Sequence, residues 1–222
     1  MTCDSFAKSY WAHYISIEKE FIKTVSYVSL SEDNYETYSE QYLKLLLEIG
    51  SEVDITMKLY CSRIGTGFHG TKISHYLDFI TNNYPDFFEH NITVQNNSIT
   101  LKPWLNTDES GNIVSPFWWK AYNKVKHCRT KTGTIDGQTK EYYKFANQKY
   151  VLLALAGLYQ ILLCSYYKLA TQENNHVLIP LPGSRVFQIS GKEWKDVSFY
   201  NDFALYINKD GELIMEQNQI FY

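Results

Sequence analysis

Residues 150–167, YVLLALAGLYQILLCSYY, carry no charged side chain and are apolar on every side of a helix. Such a segment has two places to go: the hydrocarbon of a bilayer, or the middle of a fold that covers it all round. Gln160 and Ser165 interrupt the run, and no second apolar stretch of similar length accompanies it. The reading is therefore a core helix of about residues 142–171, with no membrane partner. The remaining chain must wrap it. With 222 residues, 45% of them hydrophobic and 20% charged, the chain has the composition of a globular protein and enough length for a sizeable core. Its 19 Tyr and 5 Trp are suited to covering such a helix, since each ring buries apolar area and keeps a polar tip.

Hydrophobic spacing supplies the wrapping elements. Tyr14, Ile17, Phe21, Val25 and Val28 predict a helix over 6–28 with Asp4 as its cap. Tyr35, Tyr38, Tyr42, Leu46, Ile49, Val53, Met57, Tyr60 and Ile64 predict a second, closed by Gly65 in a left-handed cap. A third covers 71–83 and stops before Pro85. NITVQNNSITLKP, 91–103, alternates around Asn96-Asn97 and predicts an inserted β-hairpin. A fourth helix starts at Ser115 as N-cap, with Pro116 as its first helical residue. TKTGTIDGQTKE, 130–141, reads as a flexible connection to the apolar helix. RVFQIS and FALYINKDGELIME, the latter turning at Asp210-Gly211, read as strands. The expected fold class is mainly α: an antiparallel helical bundle over 1–172, with the hairpin inserted, and a C-terminal β appendage over 173–222.

Several function classes are excluded by missing parts. No phosphate-binding glycine loop, dinucleotide fingerprint, H-E-x-x-H or G-x-S-x-G occurs. Cys3, Cys61, Cys128 and Cys164 show no metal-ligand spacing, so a reducing, cytoplasmic setting is expected. The first residues lack the features of a signal peptide. Glu48 and Glu52 lie one helical turn apart, near Asp54, but no E-x-x-H on another helix completes a di-metal set. These acids are expected to form salt bridges, with the fourth helix as the candidate partner. No metal and no cofactor is expected.

Charge is the strongest functional signal. Between 120 and 149 stand eight cations (Lys120, Lys124, Lys126, Arg129, Lys131, Lys140, Lys144, Lys149) and two acids (Asp136, Glu141), a local +6 that leaves −9 for the rest of a chain of net −3. A basic zone on an acidic protein points to RNA or another polyanion, or to an acidic partner protein, met at one place. An ordinary solvated helix face explains the same lysines. Lys120, Asn123, Lys124 and His127 share one helical face, opposite Trp118, Tyr122 and Val125. Histidine can exchange a proton near neutral pH. His127 is thus a candidate for taking the 2′-hydroxyl proton of RNA or protonating the leaving oxygen, with Asn123, Lys124 and Arg129 completing the catalytic set and no metal required. Lys120, Lys126, Lys131 and Lys140 are candidates for holding the polyanion. Asn147 is a candidate for orienting the imidazole through its amide.

WWKAYNKVKHCR and YKFANQKYVLLALAGLY, an aromatic and cationic helix with a histidine beside a long apolar one, resemble HEPN domains. The resemblance covers about residues 6–171. It implies an RNA-binding protein or metal-independent endoribonuclease of prokaryotic antiviral defence or of a toxin–antitoxin system, working as a homodimer whose site forms where two bundles meet. Active members carry an arginine four to six residues before the histidine on one helix. Here Asn123, Lys124 and Lys126 precede His127, no arginine does, and Arg129 follows. Arg63 and His69 in RIGTGFH have the spacing, but Gly65 and Gly67 break the helix between them. The resemblance is equally compatible with a non-catalytic assembly protein whose basic face docks an acidic partner.

Overall fold

A computed structural model describes residues 1–174 and 179–191, and the backbone of 203–207 and 213–217. The chain is mainly helical, with small antiparallel sheets.

Helix α1 is continuous from Cys3–Phe6 through a π-helical turn, Ala7–Trp11, into Ala12–Val25. Its start is set by Thr2 and not Asp4. The Thr2 hydroxyl accepts from the Ser5 N–H at 3.2 Å while Ser5 Oγ accepts from the Thr2 N–H at 2.9 Å, a reciprocal cap. Asp4 instead pairs with Lys8. Helix α2, Glu40–Ile64, begins later than the aromatic stripe predicts, because Ser39 caps it by accepting from the Tyr42 N–H. Tyr35 and Tyr38 lie outside it. Gly65 ends α2 in extended backbone at φ −165°, and the left-handed residue is Gly67 at φ 77°.

Helix α3, Ile73–Asn83, stops before a 3-10 turn opened by Pro85. Helix α4, Phe117–Cys128, starts after Pro116, which takes the cap position itself. Ser115 does not cap it; its carbonyl accepts from Asn106 Nδ2 at 2.8 Å. Helix α5, Gln148–Gln172, is the apolar helix. It is long and apolar enough to cross a membrane, yet 89% of its apolar window is buried inside the fold. Gly157 allows the closest cover: Trp104 donates its indole N–H to the Gly157 carbonyl at 3.1 Å, and Trp118 meets Trp104 edge-on at 4.9 Å.

Strands β1, Asn91–Val94, and β2, Thr100–Leu101, form the expected hairpin, with Asn96 at φ 58°. The 130–141 segment is not a flexible connection. It folds as β3, Thr132–Ile135, and β4, Gln138–Glu141, around Asp136 and Gly137, both at positive φ. Strand β5, Phe187–Ser190, pairs with β1, so that Ile92 faces Ile189 and Val94 faces Phe187, all four buried. The described residues 179–190 therefore share a sheet and a core with the bundle. Buried Glu18 of α1 fastens them, accepting from the Ser184 hydroxyl, from the Arg185 N–H at 2.9 Å and from the Tyr14 hydroxyl at 2.7 Å. Strands β6, Phe203–Ile207, and β7, Leu213–Gln217, pair antiparallel. The Asp210-Gly211 turn between them lies outside the described residues.

Candidate functional site

Helix α4 is placed by its apolar side. Trp118, Tyr122 and Val125 are buried, and Tyr122 lies directly over Gly50 of α2, where a Cβ would stand 2.3 Å from its ring. The opposite face is left to solvent. Lys120, Lys124 and His127 are exposed and Asn123 is half-buried, so the predicted face exists as a surface. A 3-10 turn, Tyr142–Phe145, is tied to the end of α4: Tyr142 N–H donates to the Lys131 carbonyl at 2.9 Å and Tyr143 N–H to the Arg129 carbonyl at 3.1 Å. These two bonds set Tyr142 and Tyr143 beside the cations that follow the helix.

The eight cations divide into two groups. Lys140 binds Glu36 at 2.5 Å, Lys144 binds Glu141 at 2.9 Å and Lys149 binds Asp136 at 2.9 Å. Burial opposes ionisation of Glu36, but Lys140 and Gln138 outweigh it and hold the carboxyl below its ordinary range. The remaining five, Lys120, Lys124, Lys126, Arg129 and Lys131, are exposed and have no carboxylate in ion-pair distance among the described residues. Three of them lie over aromatic rings, Lys120 over Phe117 at 4.8 Å, Lys124 over Tyr142 at 5.5 Å and Lys126 over Tyr122 at 5.4 Å, which stiffens their stems while the charge stays in water. Cations in the last turn of α4 also complement its negative end, a structural role they keep whatever they bind.

Some of the expected roles change. Asn147 does not orient the imidazole. Fully buried, it caps α5 by accepting from the Tyr150 N–H at 3.0 Å and donates to Glu36 at 3.2 Å, so both ends of its amide are engaged. Asn123 donates back to the Trp119 carbonyl of its own helix at 3.0 Å. Lys140 belongs to the Glu36 pair and not to the open ridge. Glu48 and Glu52 face His13 of α1, at 4.0 and 3.6 Å, and leave α4 unneutralised. Arg63 ends α2 while His69 lies beyond Gly67, outside any helix. A cleft of about 810 Å³ opens between Leu30, Tyr35, Ile99 and Leu152, and no α4 residue lines it. Among the described residues no three His, Cys, Asp or Glu side chains are grouped to hold a metal.

Spacing alone missed Tyr38, Glu36 and the Tyr142-Tyr143 pair. Tyr38 is 46% exposed and meets Tyr143 edge-on at 5.7 Å, while Lys144 stands 5.6 Å over the Tyr143 ring. The signal for Tyr142 and Tyr143 was their place between lysines in KEYYKF; nothing local marks Tyr38, which is brought in by the pairing of its backbone with Asn147. Comparison with protein-family models, curated proteins and solved structures gives no significant match.

Proposed function

We propose that this is an RNA-binding protein of HEPN-like layout, which takes RNA on the ridge formed by α4 and the turn that follows it, as a homodimer. The observation that carries the reading is the set of five exposed cations without acid partners among the described residues, on a chain whose remaining charge is negative. Charge of one sign gathered at one place attracts a polyanion locally without coating the whole protein. A second part of the reading is metal-independent cleavage with His127 as the proton-transfer group. It is supported by the position of His127 among these cations, which can stabilise charge developing on phosphorus. The homodimer is part of this reading because His127 stands on an open face of α4, which a second copy would cover.

Fluorescence anisotropy with a labelled single-stranded RNA over a salt series tests the binding. Affinity should fall as salt rises, with a logarithmic slope of up to about 3.5 if all five cations meet phosphates, at about 0.7 each. A flat response removes the RNA reading and favours an acidic protein partner, the alternative for the same surface. Incubation of the RNA with excess chelator tests the cleavage: a cyclic phosphate product, survival of the matching DNA, and a drop of about 10² to 10⁴ in rate for His127→Ala are expected. Intact RNA under conditions of demonstrated binding leaves a binding protein without catalysis.

A further inference from the structure

Beside the open cations lies a feature that charge does not explain. Tyr38, in the loop before α2, is 46% exposed. Its ring is held edge-on against Tyr143 at 5.7 Å, and its backbone is held by the bridge to Asn147, so it is oriented from both ends. Tyr143 is in turn bound through its N–H to the Arg129 carbonyl, and Tyr142 through its N–H to Lys131. The half-buried rings of Tyr142 and Tyr143 thus hang from the backbone of the two cations that end the ridge. Lys124 over Tyr142 continues the same surface back along α4. An exposed ring at Tyr38, backed by Tyr143 and next to a row of exposed cations, meets the two needs of an unpaired nucleic acid strand: phosphates seek charge and bases seek flat apolar faces. A duplex hides its bases in its own stack and gains only from the cations.

We infer that the ridge is built for single-stranded RNA, with phosphates along Lys120, Lys124, Arg129 and Lys131 and a base stacked on Tyr38 against Tyr143. This rests on the RNA-binding reading above and adds the form of the substrate and the residue that selects it. Tyr38 is the discriminating position, because it is exposed, makes no side-chain hydrogen bond described for the fold and can be truncated without opening the core.

The test uses the full chain and four probes: a single-stranded RNA, the same sequence as a duplex, an abasic strand of equal length, and inorganic polyphosphate. The expected result is tightest binding to the single strand. Tyr38→Ala should weaken that binding by about 5- to 100-fold, the usual range for losing one stacked base, and leave the salt slope, the abasic strand and polyphosphate unchanged. Tyr38→Phe, which keeps the ring, should restore it, and circular dichroism should show both variants folded. Equal affinity for strand, duplex and abasic probe, with Tyr38→Ala indistinguishable from wild type, overturns the stacking inference while the basic ridge stands. Binding to none of the probes at low salt overturns the ridge and the inference together.

Discussion

Single residues in this core carry polar groups at a measurable cost. His90, between α3 and β1, is 1% exposed, with Nδ1 at 3.4 Å from Gln160 Nε2 and 3.8 Å from Cys164 Sγ. Burial pushes its imidazole down to about 4, against the opposing pull of Asp86. The folded protein thus refuses a proton that the unfolded chain takes up at about 6.5. Stability from this group is complete above about pH 6.5 and is lost as pH falls toward about 4, the sign expected when the unfolded state binds more protons. Between pH 7 and 5.5 the loss should be about 1 kcal/mol. Urea unfolding at the two pH values should show it for the wild type and not for His90→Gln; equal differences would exclude His90 as the source. Glu18 is a buried acid side chain that meets three donors, and its removal would take from the Arg185 N–H the acceptor it has in the fold.

Between elements, close approach decides where the site sits. Gly50 in the middle of α2 is the reason α4 lies as it does, because the Tyr122 ring occupies the space of a side chain there. Gly50→Ala should raise intrinsic helix stability by about 1 kcal/mol, yet the added Cβ at 2.3 Å from Tyr122 demands movement of α4 at a cost of about 1–3 kcal/mol. A net loss on urea unfolding, with weaker RNA binding from a displaced ridge, is the expected outcome; a gain in stability would mean that α4 is not packed on this glycine. The elements themselves were legible where long periodic runs carry them. The hairpin at Asn96-Asn97 and the buried α5 follow directly from their residues. Helix starts were not, because Thr2, Ser39 and Asn147 act through individual hydrogen bonds that compete with neighbours of equal propensity. The β3–β4 hairpin was missed although Asp136-Gly137 carries the same turn chemistry as Asp210-Gly211, since its flanks, Thr132–Ile135 and Gln138–Glu141, are too polar to show a strand period.

At the scale of the whole molecule, a net charge of −3 opposes any polyanion, so the RNA binding proposed above would depend on which cations stay unpaired. This part of the site was half legible. Sequence spacing predicts the exposed α4 face, but the acids that remove Lys140 and Lys149 from the ridge are supplied by folding, Glu36 from a distant loop and Asp136 from the tip of the missed hairpin, while Lys144 is paired by Glu141 three residues before it. The division makes a test in which two variants each lose one cation, one of them together with the acid it pairs with. Lys149→Gln with Asp136→Asn removes one cation and its own acid together, and Asn tolerates the positive φ of 51° at residue 136. Lys124→Gln removes a cation that has no acid partner among the described residues. If the open cations bind phosphates, the paired double variant should keep wild-type affinity and salt slope within error, while Lys124→Gln should lower the slope by about 0.7 and weaken single-stranded RNA at physiological salt. If instead the protein responds to total basic content, with no particular ridge, both variants should weaken binding alike, and the arrangement on α4 would be only a solvated helix face completing the helix dipole.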